Sequence, residues 1–117
     1  MKRISRAGWH QIGDKQIYMR SSWEVKYAKY LQWQKEQTLI ADWQYEPKTF
    51  WFEEIKRGVC SYLPDFKVVR LDGSHHWIEV KGYMDAKSKT KIKRFRKYYP
   101  EEELIVLEGK FFRERNL

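Results

Sequence analysis

A chain of 117 residues is large enough for one hydrophobic core and too small for two, so a single domain over residues 1–117 is expected. With 42% hydrophobic and 17% aromatic residues it is no disordered tail, whose composition could not offset the entropy of ordering. The formal charge of +8 and pI near 9.6 point to a polyanionic partner, nucleic acid first, because a basic surface gathers phosphate chains by long-range attraction and counterion release. One cysteine, Cys60, excludes an internal disulfide and a multi-cysteine zinc site, and suits a reducing compartment such as the cytoplasm. No apolar run follows the basic start or is long enough to span a bilayer, so neither export nor a membrane partner is expected. The absence of a Gly-rich phosphate loop argues against a nucleotide cofactor.

In chain order, "WHQIGDKQIYM" reads as a small hairpin turning at Gly13-Asp14. "RSSWEVKYAKYLQWQKEQ" follows with serines suited to an N-cap and with Trp23, Tyr27, Tyr30, Leu31 and Gln34 at helical spacing, predicting a helix from about Ser22 to Gln37. "DWQYEPKTFWF" alternates like a strand, with Pro47 marking an edge or a bulge. Two more strands are expected, about Ser61 to Leu71 and His76 to Lys81, hinged at "DGS". "DAKSKTKIKRFRKYYP" reads as a second helix, capped by Asp85 or Ser88, with Ile92, Phe95 and Tyr99 on one face and Pro100 ending it. "LIVL" at 104–107 has the look of a strand buried on both faces, joined by a right-handed parallel crossover, and a basic aromatic tail closes the chain. The fold class is therefore α/β: helix, three-stranded antiparallel meander, helix and parallel fourth strand, behind the N-terminal hairpin.

The strand "WIEVK" sends Ile78 and Val80 one way and Trp77, Glu79 and Lys81 the other; "PDFKV" sends Phe66 and Val68 one way and Asp65 and Lys67 the other. Matching apolar to apolar gathers Asp65, Glu79 and Lys81 on one side. Antiparallel partners have residue numbers of constant sum, so the register must be even, 144 with Asp65 facing Glu79 or 146 with Asp65 facing Lys81. An odd-length loop around Asp72 to Ser74, or a bulge, would deliver it.

A solvated face with an exposed ion pair is the plain reading of any one of these acids. Together they suit different chemistry. Adjacent carboxylates repel unless a cation neutralises them, and oxygen ligands suit Mg²⁺, with Mn²⁺ as a substitute. Such a metal polarises a phosphoryl oxygen and activates water, while a nearby lysine orients the nucleophile or stabilises developing charge. These residue types fit metal-assisted phosphodiester hydrolysis. Glu24 has two readings on spacing alone: the acid of an S-x-x-E capping box from Ser21, or, on the inward stripe with Tyr27, Ala28 and Leu31, a further acid of the site.

"LPDF" followed by "IEVKG" resembles the PD-(D/E)XK nuclease superfamily, with Pro64-Asp65 and Glu79-Val80-Lys81 at the motif positions. The expected element order is similar to that superfamily's restriction-endonuclease-like core over about Ser21 to Leu107. "RSSWE", "YEPKTFWF" and "SYLPDF" look particularly like small phage or mobile-element nucleases of the transposon-end-cleaving and junction-resolving kinds. The resemblance implies a Mg²⁺-dependent DNA endonuclease in a bacterial or phage-infected cytoplasm. Asp65, Glu79, the Val80 carbonyl and Glu24 would bind metal, and Lys81 would sit by the attacking water. Cutting both strands would need two sites, hence a homodimer, or two sequential nicks. The alternative is a noncatalytic module resembling the double-stranded RNA-binding domain.

The second helix carries Lys87, Lys89, Lys91, Lys93 and Arg94, either a solvated face or a track for phosphates, with Lys91 the best placed near a scissile phosphate. His75 and His76 read as turn and strand-end residues, since neighbours on a strand point apart and no second ligand pair exists. Most of Trp43, Trp51 and Trp77 are expected in the core.

Overall fold

The computed structural model of the protein describes residues 7–115. It opens with the hairpin β1 (Gly8–Ile12) and β2 (Lys15–Met19), whose two-residue loop takes the positive φ it requires from Gly13, at 60°. Helix α1 (Ser22–Glu36) starts where the serines predicted, the Glu24 N–H donating to Ser21 Oγ at 3.2 Å, and buries Glu24, Val25, Tyr27, Ala28 and Leu31.

Strand β3 (Asp42–Tyr45) enters a four-stranded sheet, and the chain leaves it at Glu46, which has a φ of 47°, just before Pro47. It forms a separate antiparallel pair, β4 (Phe50–Trp51) and β5 (Ser61–Tyr62), then returns as β6 (Phe66–Val69) between β3 and β7 (His75–Lys81). Helix α2 (Ala86–Tyr98), capped by Asp85 Oδ1 accepting from the Ser88 N–H, leads to β8 (Leu104–Glu108), parallel to β7. A short helix, α3 (Gly109–Glu114), follows. The sheet order is β3-β6-β7-β8, so a mixed α/β chain builds an antiparallel meander with one parallel edge strand.

Helices cover both faces of this sheet. Ile78, Val80, Phe66 and Val68 pack with α1, the hairpin and Phe112 of α3; Trp77 and Leu104 pack with Ile92 and Phe95 of α2 and with Phe50, Phe52 and Tyr62 of the small β4–β5 sheet. Phe66 pairs with Ile78 and Lys67 with Trp77, the register of sum 144, set by a five-residue loop in which Arg70 and Gly73 close the turn and Asp72 Oδ1 accepts from Ser74.

Four expectations need correction. The aromatic strand expected across Pro47 is two strands in different sheets, β3 before it and β4 after it, because the proline and the left-handed Glu46 break the ladder. The strand from Ser61 is also two, β5 and β6, divided at Leu63-Pro64-Asp65. "LIVL" is not buried on both faces: β8 is the sheet's edge, Leu104 alone is buried, and Ile105 is 37% exposed. The tail's described residues form helix α3, Gly109–Glu114, whose Phe112 docks edge-on against Trp23, ring centres 4.8 Å apart. Trp43 and Trp77 are core residues, whereas Trp51 is exposed.

Candidate active site

Asp65 and Glu79 follow the α2 side of the sheet, because they alternate with Phe66 and with Ile78 and Val80, which face α1. Glu24 reaches the same place from the first turn of α1. All three carboxylates line one pocket of about 270 Å³, with Arg20, Tyr62, Leu63, Val80, Lys81, Ser88, Lys91 and Ile92. Their exposures of 7% for Glu24 and 5% each for Asp65 and Glu79 rule out a solvated sheet face. The Glu24 N–H is capped by Ser21 Oγ, and its Oε1 accepts from the Arg20 N–H at 3.2 Å, one residue before the N-cap, and from the Tyr45 hydroxyl at 2.8 Å, so the carboxylate that lines the pocket also satisfies a backbone donor at the helix start.

Each acid is held by a donor. The Val80 N–H donates to Asp65 Oδ2 at 2.7 Å, and the Tyr62 hydroxyl donates to Glu79 Oε1 at 2.6 Å. Lys81 Nζ lies 3.7 Å from Glu79 Oε2. Burial, then the charges of Glu79 and Glu24, hold the Asp65 carboxyl well above the usual range. Burial raises Glu79 as well, opposed by the Tyr62 hydrogen bond and by Lys81. The Tyr62 hydroxyl is pushed up in turn by its burial and by Glu79. Repelling acids kept out of water are what a cation would relieve.

Among the described residues no three Asp, Glu, His or Cys side chains already converge as a metal-ligand group. The donor chemistry nonetheless fits a small hard divalent ion. Mg²⁺ is ordinarily bound through one or two carboxylates, with water and substrate phosphate filling its other positions, rather than in an all-protein cage. Asp65 and Glu79 satisfy that requirement, and the described residues that line the pocket include no His, Cys or Met.

The predicted basic residues separate. Lys91 lines the pocket and adds its attraction to that of Lys81 on Glu79. Lys87, Lys89 and Lys93 are exposed, the last two beside a groove between α2 and β8. Arg94 instead donates to the Val59 carbonyl at 2.6 Å, fastening the β4–β5 connection onto α2. His75 Nε2 meets Glu102 Oε1 at 2.8 Å, at a strand start as expected. Sequence reasoning missed Tyr62, Tyr45 and Arg20; Tyr62 stands three residues before Asp65, but no spacing rule predicts that Leu63-Pro64 turns its hydroxyl back to Glu79.

No helix among the described residues is long and apolar enough to cross a membrane. No curated protein and no solved structure matches the chain. The model of a family described as a protein of unknown function (DUF1064) matches residues 5–111, and the chain belongs to that family.

Proposed function

We propose that the protein is a metal-dependent DNA endonuclease that hydrolyses phosphodiester bonds in the pocket of Glu24, Asp65, Glu79 and Lys81. The observation that carries this reading is the meeting of buried Asp65, the residue before β6, with buried Glu79 of β7, the two strands in the 144 register and Lys81 3.7 Å from Glu79. The order of α1, meander, α2 and parallel β8 supports the likeness to the restriction-endonuclease core.

A divalent ion, Mg²⁺ or Mn²⁺, would polarise the phosphoryl oxygen and lower the pKa of its bound water. Asp65 and Glu79 would hold that ion, with Glu24 and the Val80 carbonyl as further oxygen donors. The Val80 and Tyr62 hydrogen bonds fix the two carboxylates in place before substrate arrives. Lys81 orients the attacking water and stabilises charge developing on the phosphoryl oxygens, and Lys91 holds the neighbouring phosphate. A module that only bound duplex would gain nothing from three buried acids, which repel phosphate unless a cation intervenes.

Incubation of supercoiled plasmid and a labelled four-way junction with Mg²⁺ or with chelator tests the reading. Metal-dependent cutting that disappears in Asp65→Ala and Lys81→Ala is expected; tight DNA binding without cutting, unaltered by either substitution, would leave the noncatalytic module instead.

A further inference from the structure

The β1–β2 hairpin supplies none of the acids of that pocket, and its two faces differ. Ile12 and Met19 are buried toward α1, with Ile17 packed against the same core, whereas Trp9, Gln11, Gln16 and Tyr18 face away and are exposed. The register pairs like with like, Trp9 opposite Tyr18 and Gln11 opposite Gln16. Trp9 is 65% exposed and Tyr18 48%, their rings meeting edge-on at 5.6 Å. In a chain with 34% charged residues, this face carries two aromatics, two amides and no charge. Paired aromatics left in water mark a contact surface.

The surroundings select its occupant. Lys26 and Lys29 of α1 line a cleft with Trp9 and His10, so cations flank the neutral strip. β2 runs into α1 through Arg20 and Ser21, and Arg20 and Glu24 line the acidic pocket, making the ribbon continuous with the candidate active site. A two-stranded ribbon fits the major groove, about 12 Å wide. There, glutamine presents the donor and acceptor that match adenine N6 and N7, and apolar side chains meet the thymine methyl. Cations for phosphate beside amides and rings for base edges divide the labour as a DNA reader requires.

We infer that the β1–β2 ribbon enters the major groove of duplex DNA and reads A·T base pairs through Gln11, Gln16, Trp9 and Tyr18. The inference takes its substrate class from the nuclease reading, and binding separates the two.

Anisotropy with Asp65→Asn in chelator, on A·T-rich and on all-G·C duplexes over a range of salt, leaves the DNA intact. The A·T-rich duplex should bind more tightly. Adding Gln11→Ala and Gln16→Ala should cost about tenfold in affinity for it and level the preference, with an unchanged salt slope, since base contacts carry no counterion release. Trp9→Ala with Tyr18→Ala should weaken the same complex, compared at a temperature at which both proteins are folded, since loss of the edge-on ring pair also removes packing from the hairpin. Ribbon variants that bind as tightly and with the same preference as their parent would overturn the inference. So would a loss seen only as a reduced salt slope, or a shift from dimer to monomer with DNA affinity unchanged, which would make the face an interface between copies. Cleavage is scored separately with Asp65 intact, with and without the ribbon substitutions: cutting that is indifferent to them sinks this inference alone, and ribbon-dependent binding without cutting sinks the nuclease reading alone.

Discussion

The backbone N–H of Val80 donates across 2.7 Å to the buried carboxylate of Asp65, tying the start of β6 to the strand that carries Glu79 and Lys81. The same bond keeps Asp65 beside two other acids. Burial and the charges of Glu79 and Glu24 make the folded chain hold the Asp65 proton to a pH at which the unfolded chain, near the ordinary value of about 3.9, has released it. Stability contributed by that proton therefore falls as pH rises through the window above the ordinary value.

Asp65→Asn keeps an oxygen for the Val80 N–H and removes the charge. It should lose cleavage yet melt above the parent at about pH 8, by roughly 4 °C for each kcal/mol of repulsion relieved, with the gap narrowing at about pH 5. Mg²⁺ should raise the melting temperature of the parent and leave the variant unmoved. A variant that melts below its parent at the higher pH would contradict the picture of acids held against their repulsion.

Tyr62 acts through Glu79. Its hydrogen bond lowers the Glu79 pKa against the raising effect of burial, so Tyr62→Phe should raise that pKa further. Since Glu79 must be ionised to hold a cation, the acid limb of the cleavage profile should move to higher pH. The rate near neutrality should fall on the order of tenfold, as expected for loss of a hydrogen bond to a charged group. The ring still packs against Phe95, 5.3 Å away, so the fold should survive. An acid limb in the same place would remove Tyr62 from the machinery.

The meeting of Asp65 with Glu79 was legible because a strand has a period of two: once Phe66 and Val68 are matched to Ile78 and Val80, the acids have one side on which to lie. The two longer helices, α1 and α2, were legible through Ser21, Asp85 and the apolar spacing, each a local signal. What escaped was set by long-range contact. Pro47 marks an edge or a bulge and Pro64 falls inside one expected strand, and neither says that Phe50 and Tyr62 will pair in a second sheet over α2. Four apolar residues at 104–107 suit a central strand and an edge strand alike, and only the position of β8 beyond β7 leaves Ile105 in solvent. Arg94 looks like any other cation of α2 until the Val59 carbonyl is found against it.

That contrast separates two charges three residues apart on one helix. Lys91→Ala should weaken DNA binding at every sequence and reduce the salt slope by about one, as for a lost phosphate contact. Arg94→Ala should lower the melting temperature by freeing the Val59 carbonyl and leave the salt slope as it was. Titrations of both variants over a salt series decide the matter, and equal slopes for the two would break the distinction.

The C-terminal helix should prove integral to the domain. Phe112 is 1% exposed and sits edge-on to Trp23 and Tyr27, joining α3 to the helix whose first turn carries Glu24. Truncating a buried phenylalanine ordinarily costs about 3–5 kcal/mol, the transfer of the ring plus the cavity left behind. Phe112→Ala should accordingly shift the urea midpoint sharply downward, with little change in the slope. Because the lost packing lies directly under α1, cleavage should fall with stability and recover in Phe112→Leu, which refills most of the space. An alanine variant as stable as its parent would mean that the helix merely rests on the domain, and Glu24 would then owe its position to Ser21 and Tyr45 alone.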